Sequence, residues 1–196
     1  MKLGTFVAML TASLAATGVA EAADGAARPG LPKVPYEDHG ACPCECCTYR
    51  SWTVKAETPV RTDRRDDAPD AFRVRAGEQM DGITGVVITR KLGRATIRAP
   101  IAIDSDRLSL RPGEVIHVVN YIGEGVWKIW ARGRLYHVEI AGKEQTCVGQ
   151  ARGPAPCAAQ IVEEPMTVWW ARVRNGTGQE GWTRQLDHFA NIDACG

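Results

Sequence analysis

One short phrase occurs twice in this chain, and a second phrase closes it. The repeated phrase is an apolar residue, two spacers and Gly-Glu, ahead of apolar alternation. It reads Val74-Arg75-Ala76-Gly77-Glu78 before Met80, Ile83 and Val86, and Leu110-Arg111-Pro112-Gly113-Glu114 before Val115-Ile116-His117-Val118-Val119. The closing phrase is Trp169-Trp170-Ala171-Arg172-Val173, a Gly-rich turn, then Gly181-Trp182-Thr183. With 20 Gly and 11 Pro to punctuate it, and no sustained helical period, the chain is expected to be all-β, with short strands joined by turns.

The breaks divide the chain into segments. Residues 1–23 read as a signal peptide: Lys2 is a minimal positive start, Leu3 to Val19 is mostly apolar, and Ala20-Glu21-Ala22 has the small-x-small form of a cleavage site. Thr11, Ser13, Thr17 and Gly18 interrupt the apolar run, so it is a poor membrane anchor, and no other stretch approaches the ~20 apolar residues of a spanning helix. An exported chain without a membrane span is expected. Residues 24–50 read as a linker and a Cys-rich arm, residues 51–93 as a first β segment, residues 94–163 as a second with an irregular insertion, and residues 164–196 as a C-terminal hairpin and tail.

Within the second segment, Val115 to Ile122 is apolar at both parities and is expected to be buried on two sides. Trp127, Ile129 and Ala131 face one way and Val126, Lys128 and Trp130 the other, before a turn at Arg132-Gly133-Arg134. Tyr136, Val138 and Ile140 then share a face. The final hairpin holds Asn175-Gly176 in its turn, and a short helical turn is expected near Gln185 to Asn191. Trp170 and Trp182 are expected in the core.

The seven Cys fall in three places: Cys42, Cys44, Cys46 and Cys47 in a cluster, Cys147 and Cys157 around a Gly/Pro loop, and Cys195 next to the C-terminus. In an exported chain these are expected as disulfides. Cys147 pairs with Cys157, and Cys195 pairs with one member of the cluster, with Cys42, Cys46 and Cys47 as the candidates; the odd count leaves at least one Cys over. The competing reading of Cys42-Pro43-Cys44-Glu45-Cys46-Cys47 is a metal or redox centre, with His39 as a further candidate ligand, because dense thiolates suit zinc or cuprous copper. Only Cys44 and Cys47 have Cys-x-x-Cys spacing, and the second pair of a zinc site is missing.

The region Val54 to Val87 resembles the first half of a bacterial SH3-like domain, with Thr58-Pro59-Val60-Arg61 at its early strand and then the Gly-Glu step. Trp170 to Trp182 resembles the second half, and Leu110 to Ile140 resembles another copy of the core strands. The layout from the Cys cluster with Tyr49 and Trp52 to Phe189 and Asp193-Ala194-Cys195-Gly196 is similar to exported bacterial SH3-like proteins. The resemblance implies two small SH3-like barrels. The Gly-Glu step occurs twice and the Gly-Trp ending once, so the barrels are either in tandem or one is inserted in the other, with 166–190 completing the first.

The resemblance further implies binding rather than catalysis, with a cell-wall stem peptide or an envelope protein as partner. Gly-x-Ser-x-Gly, His-Glu-x-x-His and a phosphate-cradling Gly loop are absent from the sequence, and neither His117 and His137 nor Glu124 and Asp104 have a spacing that singles them out, so no catalytic residue is expected. No cofactor and no metal are expected. A net charge of +1 with interleaved signs argues against nucleic acid and anionic membrane as partners. The candidate ligand surface is Tyr121, Glu124, Trp127, Trp130 and Trp169: aromatics offer contact area with a polar tip, and Glu124, between Gly123 and Gly125, offers a carboxylate to a cationic group.

Overall fold

The structure is a computed structural model that describes residues 30–103, 108–141 and 158–195. The signal segment and the expected Cys147–Cys157 bridge lie outside the described residues. The described strands run, in chain order, β1 (Tyr36–His39), β2 (Ser51–Val54), β3 (Thr58–Arg61), β4 (Asp70–Val74), β5 (Gln79–Lys91), β6 (Gly93–Ile97), β7 (Ile101–Ile103) and β8 (Leu108–Leu110). They continue as β9 (Val115–Gly123), β10 (Val126–Ala131), β11 (Arg134–Glu139), β12 (Ala159–Glu163), β13 (Met166–Arg174), β14 (Glu180–Thr183) and β15 (Phe189–Ala190). A 3-10 turn at Leu186–His188 falls within the stretch where a short helical turn is expected.

The chain is all-β, built of curled antiparallel sheets, and its strand order explains the doubled phrase. One sheet runs β15-β2-β5-β13-β14-β3-β4, with β1 on β5, and a second runs β11-β10-β9-β6-β12. Read from the other end, the second order is β12-β6-β9-β10-β11, which matches β15-β2-β5-β13-β14 strand for strand. A hairpin precedes the long strand in each copy, β3 with β4 and β7 with β8.

The Gly-Glu step makes the same connection in both copies. Glu78 N–H donates to Arg75 C=O at 3.1 Å, and Glu114 N–H donates to Arg111 C=O at 3.1 Å. Gly77 N–H reaches Val54 C=O at 2.8 Å, and Gly113 N–H reaches Ile97 C=O at 2.8 Å. The glycines take φ of +91° and +88°, a region that costs an L-residue backbone strain and glycine none. All five strands of the second order lie in sequence between β5 and β13 of the first. The second sheet is thus inserted in sequence between two paired strands of the first.

Each sheet wraps its own apolar cluster. Trp52, Val54, Val60, Val74, Met80, Ala171, Val173 and Phe189 fill the first. Ile97, Leu110, Val118, Ile129, Tyr136, Ile140 and Ile161 are among those that fill the second. A side chain of this size contributes roughly 1.5–3 kcal/mol on full burial. The expected two-sided burial of the 115–122 strand holds at its centre, where Val118, Val119 and Asn120 are all buried. Arg132 and Gly133 form the two-residue turn between β10 and β11, with φ of +49° and +81°, the signs a twisted hairpin requires.

Two expectations need correction. Tyr36–His39 lies in what reads as a linker, yet it is a strand on β5, pairing Tyr36 with Thr89 and His39 with Val86. Four residues after a run of Gly, Ala and Pro are too short for alternation to stand out. The final hairpin does hold Asn175-Gly176 in its turn, as expected: Asn175 Oδ1 accepts from Thr177 N–H at 3.1 Å and Gln179 N–H at 2.9 Å, and the positive φ falls on Gly178. Trp182 is half-buried rather than in the core, with the Arg64 guanidinium 5.4 Å above its ring.

The two sheets meet through polar contacts. Thr89 Oγ1 donates to Val119 C=O at 2.9 Å, joining β5 to β9. Asp38, carried by β1, accepts from Lys128 Nζ at 2.6 Å and Asn120 Nδ2 at 3.0 Å on the second sheet. If the two Gly-Glu turns are equivalent, Gly77→Ala and Gly113→Ala should each lower stability by a similar amount, about 1 kcal/mol, in urea unfolding of the oxidised protein.

Candidate functional site

The Cys-rich arm folds into a knob where several parts of the chain converge. Cys42 is bridged to Cys47, and Cys46 to Cys195 across 149 residues. The expected link from the tail to the cluster is therefore present, with Cys46 as the partner, and Cys44 is the one free thiol among the described residues. The tail is held beside the bridge by Thr48 N–H to Ile192 C=O at 2.9 Å and Ala194 N–H to Cys46 C=O at 2.8 Å. Tyr49 extends the knob into the first sheet, donating to Ala41 C=O and accepting from Trp169 Nε1 at 3.2 Å. Burial pushes the Tyr49 phenol up to about 12; the Trp169 hydrogen bond opposes this and the nearby Cys44 thiol adds to it. Gly85 leaves the room: a Cβ there would meet the Tyr49 hydroxyl and come within 2.5 Å of Trp169 Nε1.

The knob also corrects the reading of Glu124. No partner is evident for it in sequence, but Glu124 Oε1 accepts from Cys46 N–H at 3.1 Å, and Glu124 N–H donates to Glu45 Oε2 at 2.6 Å. A contact across 78 residues leaves no trace in local pattern. The carboxylate thus ties the β9–β10 turn to the arm. The sulfurs of Cys46 and Cys195 and an oxygen of Glu124 all lie within 4.8 Å of one another, but bridged sulfurs are not the thiolates that a metal takes. Cys44 is raised above its ordinary value by burial first, then by Asp193 and Glu45, which holds it as the thiol at neutral pH.

The five candidate ligand residues do not share one face. Tyr121 and Trp127 pack as cross-strand partners with their rings tilted at 58° and centres 4.9 Å apart, and the Tyr121 hydroxyl accepts from Gly125 N–H at 3.0 Å. Trp127 packs against the second core. Trp130, of opposite parity, lines a separate cleft with Leu31, Val115 and His117. Trp169 belongs to the first sheet. Alternation along β10 is visible in the sequence and separates Trp127 from Trp130; grouping them sets that rule aside.

Trp169 instead marks a cleft of about 680 Å³ on the first sheet. Its walls are Thr167–Trp170 of β13, the chain Thr183–Asp187, and Pro59, Arg61 and Asp66. Trp170 is 2% exposed, and its indole N–H has no acceptor among the described residues. Gln185 Oε1 is buried without a donor among the described residues. An unpaired buried polar atom costs ~1–3 kcal/mol, so two at one cleft stand out. The backbone that carries Gln185 is fixed: its N–H donates to Thr183 Oγ1 at 3.2 Å, and its C=O accepts from His188 N–H at 3.0 Å. Trp170 reads as a core residue from sequence, and Gln185 has no pattern of its own, so of this site only Trp169 is marked before the fold is known.

Comparison of the chain with protein-family models, with characterised proteins and with solved structures finds no match. The site rests on its own geometry.

Loss of the long bridge in Cys195→Ser should lower the stability of the oxidised protein by about 5 kcal/mol in the chain-entropy view, read from denaturant midpoints. Alkylation by iodoacetamide, followed by peptide mapping, should find Cys44 slow at neutral pH and accelerating only on the alkaline side of an ordinary thiol, the direction its raised pKa requires.

Proposed function

We propose that this protein is an exported, non-catalytic binding module made of two SH3-like barrels, one inserted in the other, and that it holds a peptide of the bacterial envelope. The cell-wall stem peptide is the first reading and an envelope protein the alternative. Support for the nested barrels comes from the two matching strand orders and the identical Gly-Glu turns. Support for export comes from the two disulfides, which persist in oxidising compartments. No described helix is long and apolar enough to cross a membrane.

The observation that carries the binding reading is the pair of unsatisfied buried atoms on two residues that line the first cleft. Trp170 offers a donor and Gln185 an acceptor, and a secondary amide supplies the complement of each. Half-buried Trp169 and Leu186 add apolar contact beside them. A metal or redox role for the Cys42–Cys47 cluster has less support, because Cys42, Cys46, Cys47 and Cys195 are consumed in bridges.

Retention on purified sacculi tests the reading. The wild type and Trp130→Ala, which lies outside the cleft, should be retained equally. Gln185→Leu and Trp170→Phe should be lost from the pellet while keeping a cooperative melt. Equal retention of all four proteins would place binding elsewhere, and no retention of the wild type would contradict the cell-wall reading.

A further inference from the structure

Resting on that reading, we infer that the cleft takes its peptide as an added strand along the outer edge of Thr167–Trp170, with a cationic side chain of the peptide set on Asp187. The strand lengths make the opening. β13 pairs with β5 along its whole length, from Met166 opposite Lys91 to Arg174 opposite Asp81. On its other side β14 covers only Ala171 to Arg174, starting from Ala171 opposite Thr183. After Thr183 the chain turns away into the 3-10 turn, so no described strand lies beside residues 167–170 on that side, and this is where the cleft lies.

The second sheet provides an internal comparison. Its counterpart hairpin is matched in length, with β11 paired along β10 from Val126 to Ala131. The equivalent edge is closed there. An open edge presents backbone N–H and C=O groups that an extended peptide can complete, and side chains flanking the edge then choose among peptides. Trp170 and Gln185, whose buried indole N–H and Oε1 are unpaired among the described residues, both line the cleft at this edge.

Charge decides which peptide. Four ionised side chains line the cleft: Arg61, Asp66, Arg184 and Asp187. Arg61 is paired with Asp70, and Arg184 with Asp66 at 2.6 Å. Asp187 is exposed, with no partner among the described residues. The uncompensated charge of the cleft is therefore one carboxylate, which favours a cation and disfavours an acidic peptide. This is the role the sequence assigns to Glu124, moved to a residue that is unoccupied.

Calorimetry with the full oxidised protein tests the inference, using an end-blocked extended peptide with a central lysine, the same peptide with Nε-acetyl-lysine, and soluble stem peptide released from sacculi. The lysine peptide should bind about tenfold tighter than the acetylated one, and Asp187→Asn should abolish that difference without moving the melting temperature. Binding should slow hydrogen exchange at backbone amides of residues 167–170 and leave β10 unchanged. Tight binding of the stem peptide without the lysine peptide assigns the cation to the cell wall, and the converse assigns it to a protein. Equal affinity for lysine and acetyl-lysine overturns the role of Asp187, and binding without protection at residues 167–170 overturns strand addition; either can occur while sacculus retention still depends on Gln185, leaving the broader reading intact. A dimer that protects the same edge in the absence of peptide would assign the edge to a second copy and overturn the inference.

Discussion

The pairing of β5 with β13 sets the condition that everything else must meet. It joins Lys91 to Met166, so the 74 residues between them must leave and return at one point. They do so because β6 and β12 pair at that point, Arg94 opposite Glu163. Glu163 pins the neck, accepting from Lys91 Nζ at 2.6 Å and Arg94 Nε at 2.8 Å, and these two cations lower its pKa. Gly93 makes the crossing possible, since a Cβ there would strike Glu163 C=O and lie 2.6 Å from Pro165 N. A pairing of such long range carries a large loop-closure cost, and the neck is where the inserted copy offsets it by closing on itself.

The Cys knob closes the remaining gap. The first sheet has its chain ends on either side of the insertion, and the Cys46–Cys195 bridge ties them together. The knob touches three parts at once: Tyr49 enters the first sheet beside Trp169, the tail lies along Thr48, and Glu124 brings the β9–β10 turn of the second sheet onto Cys46. Asp38 adds a second tie between the sheets through Lys128 and Asn120. The knob also holds Trp169, a wall of the first cleft, through its hydrogen bond to Tyr49.

Local pattern carried the fold a long way. The Gly-Glu steps, the alternation of Tyr136, Val138 and Ile140, and the Arg132-Gly133 turn are properties of neighbouring residues, and each sits where its spacing requires. The choice between tandem and nested copies was not legible, because it depends on which distant strand completes β5. The site was legible in part. Trp169 is on the cleft, but Glu124 is occupied by Cys46, and Trp127 and Trp130 lie on opposite faces of β10. The cleft itself comes from a mismatch between a nine-residue strand and a four-residue partner, followed by a turn held by Thr183 Oγ1. Register decides such a mismatch, and a single sequence does not print register.

The central claim is that the unpaired N–H of Trp170 waits for an amide acceptor. The indole Nε1–H resonance of Trp170, assigned by comparison with Trp170→Phe, reports this directly during addition of soluble stem peptide. The account predicts that this one indole proton moves downfield and exchanges more slowly with water as the peptide saturates, while the Trp130 indole stays in place. Saturable binding that leaves the Trp170 proton unmoved would contradict it.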